Sequence, residues 1–283
     1  MSLGGGLRLV RAPNLLIAAA GVLAGGWIAL GAVQLPKLLI FAALSGIALG
    51  AVGNTWNDIC DARADTLNRP AERRPLTSGG IGRGTADLIV FLGALVGLAT
   101  AALVSGGQVL VGVGALSIML LYSPFIKPRP VAGNVAVALV AGLPLLYGAL
   151  AVGAPRAGVV PWVLAAWLHV AREIVKDLGD EPGDRAIGRR TLPIVVGARP
   201  AQVVAAGVAL LFVPASLLLP HVAGYGAAYF LIALPAQMAV LMAGTWLILE
   251  ERVGSVGRVR RVSLLLKAAM VIGLVALVAG KVA

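Results

Sequence analysis

The sequence predicts an all-α integral membrane protein with nine transmembrane helices. Of its 283 residues, 59% are hydrophobic and only 12% are charged, and the mean hydropathy is +0.96. A soluble globular domain carries about twice that share of charged residues. Apolar segments near the 20-residue length that crosses a bilayer recur along the whole chain. Together these observations exclude an ordinary soluble domain.

Nine apolar segments account for the predicted helices. They lie at residues 14–34, 38–60, 87–106, 108–125, 132–153, 158–178, 200–219, 222–249 and 262–281. The eighth is long enough to tilt or to bend at Pro235. The chain contains 37 glycines, as expected where helices approach closely without a hydrophobic driving force.

Basic residues predict the orientation. Arginines and lysines cluster before the first segment, in the loops after the second, fourth and sixth, and before the ninth, whereas the alternate loops hold only Lys37 and Arg156. We therefore expect a multi-pass protein of the cell membrane, with its N-terminus and both acidic loops in the cytoplasm and no cleaved signal peptide. The net charge of +11 then reflects this asymmetry and phosphate-bearing ligands rather than nucleic acid. The single cysteine, Cys60, excludes an internal disulfide and a cysteine-based metal site.

A weak internal repeat predicts that the bundle is duplicated. The second and sixth segments each end in an acidic run, and each run is followed by a similar tail, Arg74–Thr77 and Arg190–Pro193. The two runs lie four segments apart, so both emerge on the same side of the membrane. We expect two four-helix units that face each other around a central cavity.

The first acidic run carries carboxylates and amides on one helical face. Its members are spaced by three or four residues, so they share a broad face of a helix; they are Asn54, Asn57, Asp58, Asp61 and Asp65. Carboxylates at this spacing repel one another and need a positive partner. Hard oxygen ligands of this kind suit Mg²⁺, which often shares its site with substrate phosphates. The alternative is a solvated helix end.

The second acidic run repeats the pattern. Glu173, Asp177, Asp180 and Asp184 follow the spacing i, i+4, i+7 and i+11. Pro182-Gly183 is expected to end the helix, which would leave Asp184 on the loop. Basic residues line a neighbouring stripe, so the alternative interpretation is a solvated salt-bridge lattice formed by Arg172 and Lys176 with the acids.

Two acidic clusters on one membrane face, each beside arginines and lysines, predict a clamp in which two metal ions hold a diphosphate. Metal ions would join the carboxylates to the diphosphate oxygens, and the basic side chains would hold the remaining negative charge. Both effects stabilise charge that builds on a leaving group. The apolar interior beneath would accept a long hydrocarbon chain.

At these residues the chain resembles the UbiA superfamily of membrane prenyltransferases. Asn57-Asp58-x-x-Asp61-x-x-x-Asp65 followed by Asn68-Arg69-Pro70 is similar to the first signature of the family, and Asp177-x-x-Asp180-x-x-x-Asp184 is similar to the second. Arg11-x-x-Asn14, Tyr122 to Lys127, and Gly133-Asn134 are smaller matches. The resemblance covers nearly the whole chain and implies one prenyltransferase domain over residues 1–283.

The resemblance implies roles for these residues. One Mg²⁺ would be held by Asn57, Asp58, Asp61 and Asp65, and the other by Asp177, Asp180 and Asp184, with Asp61, Asp65, Asp180 and Asp184 as the catalytic acids. The diphosphate would contact Asn54, Arg63, Arg69, Lys127 and Lys176. Arg11, Asn14, Tyr122, Tyr147 and Arg172 would line the substrate pocket. The two tyrosine rings would stabilise an allylic cation, unless they are interfacial anchors, and Arg11, Arg172 or Arg189 would hold an acceptor phosphate.

The residues around the second motif are most similar to the archaeal branch of the superfamily. Its enzymes add a geranylgeranyl group to geranylgeranylglyceryl phosphate, and an aromatic acceptor such as 4-hydroxybenzoate is the alternative. The implied partners are therefore a prenyl diphosphate, a lipid-like or aromatic acceptor, and membrane lipid, with no obligate protein partner. Outside this class, the candidates are an ion-coupled transporter, which would place acids near mid-membrane, and a non-catalytic lipid-binding scaffold.

Overall fold

The computed structural model describes residues 3–68, 74–250 and 256–282, except the side chains of residues 3, 64, 65, 67, 68 and 256. A π-helical turn, Tyr122–Ile126, directly follows the fifth of eleven α-helices. The helices are α1 (Leu3–Leu9), α2 (Ala12–Leu30), α3 (Lys37–Asn68), α4 (Arg83–Ala102), α5 (Gly106–Leu121), α6 (Ala132–Ala151), α7 (Pro155–Ala186), α8 (Leu192–Val196), α9 (Ala198–Val222), α10 (Ala227–Leu249) and α11 (Val256–Val282).

The predicted number of transmembrane helices is confirmed. In the described ranges, nine helices are long and apolar enough to cross a membrane: α2 to α7 and α9 to α11. Helices α3 and α7 contain 32 residues each. At 1.5 Å per residue such a helix is about 48 Å long, well beyond a hydrocarbon core of about 30 Å. Both helices therefore carry their acidic C-terminal ends beyond the apolar zone.

The order of packed neighbours matches the predicted duplication. In the first unit α2 packs on α3, α3 on α4, and α4 on α5; in the second, α6 packs on α7, α7 on α9, and α9 on α10. Helix α11 packs against α10, α7 and α2, and α2 packs against α6. The two long acidic helices, α3 and α7, also contact each other. The arrangement brings the ends of corresponding helices to one side of the bundle.

Close contact between α2 and α6 joins the two units, and it depends on glycine. A Cβ atom on Gly25 would lie 1.9 Å from the carbonyl oxygen of Leu145, and a Cβ on Gly148 would lie 1.8 Å from that of Val22. No side chain fits at either distance, so the backbones touch only because both residues are glycines. This packing is the membrane counterpart of a small-residue helix interface.

The second unit contains the larger apolar core. Buried alanines on α9 and α10, including Ala205, Ala209 and Ala236, pack there against Val240 and Leu266. An apolar groove of about 350 Å³ lies between α6, α7 and α9 and is lined by side chains that include Trp162 and Trp167. The predicted central cavity stays a prediction.

The prediction that Pro182-Gly183 ends the helix is wrong. Helix α7 continues through Pro182 to Ala186, and Asp184 lies in its last turn. An interior proline removes one backbone hydrogen bond and costs about 3 kcal/mol or more. Two interactions beyond it hold the turn, since the backbone N–H of Arg189 donates to the carbonyl of Asp184 at 2.9 Å and its side chain pairs with the Asp184 carboxylate. The acids of the second run thus keep a single helical face.

Candidate active site

The two acidic helix ends meet, and Arg189 joins them. This arginine lies between α7 and α8. Its Nη1 donates to Oδ1 of Asp184 at 2.9 Å, and its Nη2 pairs with Oδ1 of Asp61. All three side chains are buried. One guanidinium therefore spans the carboxylate of α3 and the carboxylate of α7, which places both acidic runs at one end of the bundle, named the acidic end below.

Asp61 receives further partners from the segment after α5. The ammonium group of Lys127 pairs with Oδ2 of Asp61. The Nδ2 of Asn57, one turn earlier on α3, donates to the same oxygen at 2.8 Å and also to Oγ of Ser123 at 3.0 Å. The π-helical turn contains Ser123 and ends just before Lys127. A π turn of this kind is common at functional sites, and here it brings Lys127 to Asp61 and Ser123 to Asn57.

Asp58 faces a different set of elements. Its Oδ1 pairs with Arg11 and accepts a hydrogen bond from Nη1 of Arg74 at 2.7 Å. Arg11 caps α2 in the left-handed region, with φ 54° and ψ 57°, which is uncommon for a residue other than glycine. The amide of Asn54 donates to the carbonyl of Val10 at 2.9 Å and fixes this elbow. The strained backbone thus aims the guanidinium of Arg11 at α3.

The acids of α7 have partners on α6 and on α7 itself. Oδ2 of Asp177 accepts a hydrogen bond of 2.7 Å from the amide of Asn134, at the start of α6. The buried Glu173 pairs with Arg172 at 2.7 Å and with Lys176 at 3.2 Å. Salt bridges along the helix, the alternative interpretation of this run, are therefore present among Arg172, Glu173 and Lys176. Glu173 itself is buried and not solvated.

Charge explains why these carboxylates tolerate burial. A buried ion needs a partner of opposite charge and further hydrogen bonds, and Asp58, Asp61 and Asp184 each have at least one arginine or lysine. Burial disfavours the charge on Arg189, but the charges of Asp61 and Asp184 and the hydrogen bonds to both outweigh it and raise the pKa of the guanidinium. Arginine and lysine side chains thus stabilise the buried carboxylates at the ends of α3 and α7.

Comparison with known proteins identifies the family. Residues 18–280 match the model of the UbiA prenyltransferase family. The chain belongs to this family. It is therefore a membrane prenyltransferase, as the acidic motifs predicted.

Individual relatives share the fold and most of the chain length. A digeranylgeranylglyceryl phosphate synthase of Thermococcus gammatolerans is 40% identical over 256 residues, covering 89% of this chain and 90% of that protein. A solved structure of a digeranylgeranylglyceryl phosphate synthase superposes with a TM-score of 0.79 at 26% identity, covering 99% and 98%. A UbiA homologue from Archaeoglobus fulgidus, bound to GPP and Mg²⁺, superposes with a TM-score of 0.68 at 18% identity, covering 96% and 99%.

The donor atoms of this prenyltransferase fit a hard cation. Carboxylate oxygens dominate the acidic end, as Mg²⁺ prefers. Among the described residues, Oδ2 of Asp184 is buried and has no hydrogen-bond partner, which leaves one oxygen ready for a ligand. No three Asp, Glu, His or Cys side chains converge on one position within the described ranges, and Lys127 and Arg189 contact the carboxylate of Asp61. The donor atoms themselves suit a hard cation.

Other predicted residues are placed as follows. Tyr122 is half-buried in the π turn and has the charged groups of the acidic end as its electrostatic neighbours. Asn14 and Arg63 are exposed, and Asp180 is partly exposed. The side chain of Asp65 and the whole of Arg69 lie outside the described residues.

Tyr147, which the resemblance predicts to line the substrate pocket, lies farther along α6 than the acidic end. Tyr147 lies thirteen residues after Asn134 on α6, about 20 Å along the axis. Its hydroxyl is 2.8 Å from Oγ of Ser45, and its carbonyl accepts a hydrogen bond of 3.0 Å from Gln108. These are packing contacts between helices.

Sequence reasoning missed four residues at the acidic end or undervalued them. Arg74 and Ser123 carry no spacing signal, because each acts on α3 from another element. Asn134 and Arg189 were visible only as polar residues close to a motif. Arg189 was considered for an acceptor phosphate, and its bridge between the two motifs did not follow from the sequence.

Proposed function

We propose that this chain transfers a geranylgeranyl group from geranylgeranyl diphosphate to geranylgeranylglyceryl phosphate. The observation that carries the proposal is the convergence of both acidic motifs on Arg189 at one end of the bundle, where a diphosphate can contact both. The similarity to digeranylgeranylglyceryl phosphate synthases over most of the chain supports this acceptor. The whole chain, residues 1–283, would act as a single domain.

Basic side chains would hold the diphosphate and the charge that develops on it. Lys127 and Arg189 already lie at the meeting point of the motifs, and Lys176 lies one helical turn from Asp180. As the bond between C1 of the prenyl group and the diphosphate oxygen breaks, its electron pair goes to the leaving diphosphate. Fixed cations in a buried site stabilise that charge more than water does. Arg63, Arg69 and Asn54 remain proposed contacts from α3 and the segment after it.

Mg²⁺ is the proposed cofactor. The candidate ligands are the acids and amide of the two motifs: Asn57, Asp58, Asp61, Asp65, Asp177, Asp180 and Asp184. Structures of a UbiA homologue with Mg²⁺ and a prenyl diphosphate support the choice of metal. When bound, the metal would add positive charge at the leaving diphosphate. Basic side chains already contact two of these candidates, Asp58 through Arg11 and Arg74 and Asp61 through Lys127 and Arg189.

The acceptor completes the reaction at C1. A hydroxyl oxygen of the glyceryl phosphate would attack the allylic carbon, forming an ether bond and releasing a proton. The acceptor also carries a phosphate, and the proposed groups that would bind it are Arg11, at the N-cap of α2, and Arg172, on α7. Tyr122 in the π turn would present its ring near the reacting carbon.

Basic residues in alternate loops also support the proposed location. The acidic end would face the cytoplasm of a cell membrane, because the loops at this end contain most arginines and lysines. Both hydrocarbon chains of the substrates are apolar and would reach the protein through the bilayer.

A direct assay tests the proposal. Purified full-length protein in lipid vesicles is incubated with MgCl₂ and labelled geranylgeranyl diphosphate, together with either geranylgeranylglyceryl phosphate or 4-hydroxybenzoate. We expect label in the diether lipid only. Incorporation into the aromatic acceptor alone would contradict the proposed acceptor.

Matched variants connect the assay to the site. Asp61→Ala and Asp180→Ala should abolish transfer and leave the folded bundle. Asp87→Ala is the control, because Asp87 is exposed and its ion pair in the described part of the chain is with Arg83 in the same helical turn. Full transfer by either motif variant would refute its proposed role.

A further inference from the structure

Basic side chains occupy the carboxylates that a metal would need. Both oxygens of Asp61 are engaged, Oδ1 by Arg189 and Oδ2 by Lys127. The other terminal nitrogen of the Arg189 guanidinium, Nη1, pairs with Oδ1 of Asp184. The other oxygen of Asp184 is buried and has no hydrogen-bond partner in the described part of the chain. Basic side chains thus neutralise Asp61 and Asp184, and the free oxygen of Asp184 points to an additional ligand.

A metal ion would compete with Arg189 for Oδ1 of Asp61 and for Oδ1 of Asp184. Two cations on the same carboxylate oxygen repel, and burial strengthens the repulsion. Arg189 would therefore have to leave these two oxygens before a metal could bind them. A buried guanidinium without an anion is costly, so its departure requires a new anionic partner.

The segment that carries Arg189 is suited to such an exchange. Gly188 precedes it in the left-handed region, with φ 75°, and has no neighbour that a side chain would meet. A guanidinium also binds phosphate oxygens with the same two-pronged geometry that it uses for carboxylates. A diphosphate can therefore replace the two carboxylates as the partner of Arg189.

We propose that Arg189 is an exchangeable substitute for the metal, which holds Asp61 and Asp184 together in the metal-free enzyme and transfers to the diphosphate when metal and diphosphate bind. Metal alone displaces Arg189 without giving it a partner, and diphosphate alone removes Arg189 from two buried acids. Each ligand alone binds weakly, and each strengthens the other by the same factor. The inference rests on the proposed metal and diphosphate site and is independent of the acceptor.

Binding measurements without prenyl transfer test it. The full-length protein in detergent is titrated with MnCl₂, with and without sodium diphosphate, by calorimetry, and the free metal is corrected for the metal–diphosphate complex. For the wild type we expect diphosphate to lower the dissociation constant of Mn²⁺ by at least about tenfold, within the usual range of coupling. The thermal midpoint should rise markedly only with both ligands.

Arg189→Gln should bind Mn²⁺ alone about tenfold more tightly than the wild type, with most of the coupling to diphosphate lost. Arg190→Gln is the matched control, because it removes the same charge one residue later from an exposed side chain; it should behave like the wild type. Arg189→Lys keeps the charge but cannot bridge two carboxylates. It should weaken the coupling at least about threefold, and it decides the question if Arg189→Gln does not fold.

The following results would contradict the proposed exchange. Unchanged coupling in the Arg189 variants, or equal effects of Arg189→Gln and Arg190→Gln, would overturn the exchange while leaving the proposed site intact. A wild-type protein that binds no Mn²⁺ even with diphosphate would contradict the proposed site itself and the exchange with it.

Discussion

The acidic ends of α3 and α7 contain similar motifs but are stabilised differently. On α3, Asp58 and Asp61 find their cations on other elements: the elbow before α2, the segment after the π turn, and the segment after α7. On α7, Glu173 pairs with its neighbours Arg172 and Lys176 within one helical turn. The end of α3 is therefore the point where the tertiary structure converges, whereas much of the charge on α7 is balanced locally.

The difference teaches where the site is assembled. Long-range ion pairs form only when the whole bundle has folded, so the motif on α3 reports the global arrangement. The pair of Glu173 with Lys176, three residues apart, has the spacing that also forms on an isolated helix. We therefore expect substitutions to have larger effects at the end of α3 than at Glu173.

The largest effect is expected for Asp61→Asn. The change removes the negative charge that Lys127 and Arg189 share, so these two buried cations lose part of their charge compensation. Prenyl transfer should fall by about 10³-fold, as expected when a group that stabilises transition-state charge is lost. Breaking a buried pair costs about 3–5 kcal/mol, so the thermal midpoint should also fall. Transfer rates and thermal unfolding measure both; Asp87→Asn is the control, and a loss below tenfold would contradict the central position of Asp61.

A smaller loss is expected for Asp58→Asn. Arg11 and Arg74 lose their common anchor, but the contact between the two motifs through Arg189 remains. Displacement of positioning groups by about 1 Å costs up to about 10²-fold, so we expect transfer to fall by about 10- to 100-fold. Steady-state kinetics with both substrates measure the change. A loss equal to that of Asp61→Asn would instead indicate a direct role in metal binding.

Glu173→Gln should have a modest effect. Arg172 and Lys176 stay on the same helical turn, and Lys176 is a third exposed, so solvent replaces part of the lost interaction. Glu173 itself is buried, so the loss should exceed the roughly 1 kcal/mol of an exposed pair, which corresponds to about a fivefold change in KM for the prenyl diphosphate, and should stay below the loss at Asp61. A loss as large as that at Asp61 would show that the local network on α7 is equally critical.

The smallest effect is expected for Arg83→Gln, at the start of α4. Its ion pair with Asp87, at 2.9 Å, is exposed on both sides, and such pairs contribute about 0–0.5 kcal/mol. Both the thermal midpoint and the transfer rate should match the wild type. A clear change in either would show that charge at this end of the bundle acts beyond direct contacts.

The sequence predicted the number of helices, the duplication and the position of both acidic runs, because these follow from hydropathy and from helical spacing. The interaction of Glu173 with Arg172 and Lys176 was also predictable for the same reason. The continuation of α7 through Pro182 was not, since the contacts of Arg189 with the carbonyl and carboxylate of Asp184 oppose the local preference of proline.

Long-range partners could not be derived from spacing. The contacts of Asp61 with Lys127 and Arg189 join residues 66 and 128 positions apart, and no periodicity connects them. Tyr147 illustrates another limit, because the sequence predicts its helix but not how far along that helix it lies from the acidic end. The residue types predicted the chemistry of the acidic end, whereas the positions of the interacting side chains followed only from the fold.

A double-mutant cycle tests most directly whether the two acidic ends form one site. Asp61→Asn, Asp184→Asn and the double variant are compared by kcat/KM for prenyl transfer. If both carboxylates act as one unit, the double variant should lose about as much activity as the worse single variant, since residues that work together are strongly non-additive. Losses that multiply would show that the ends of α3 and α7 act independently, which would contradict a shared diphosphate site.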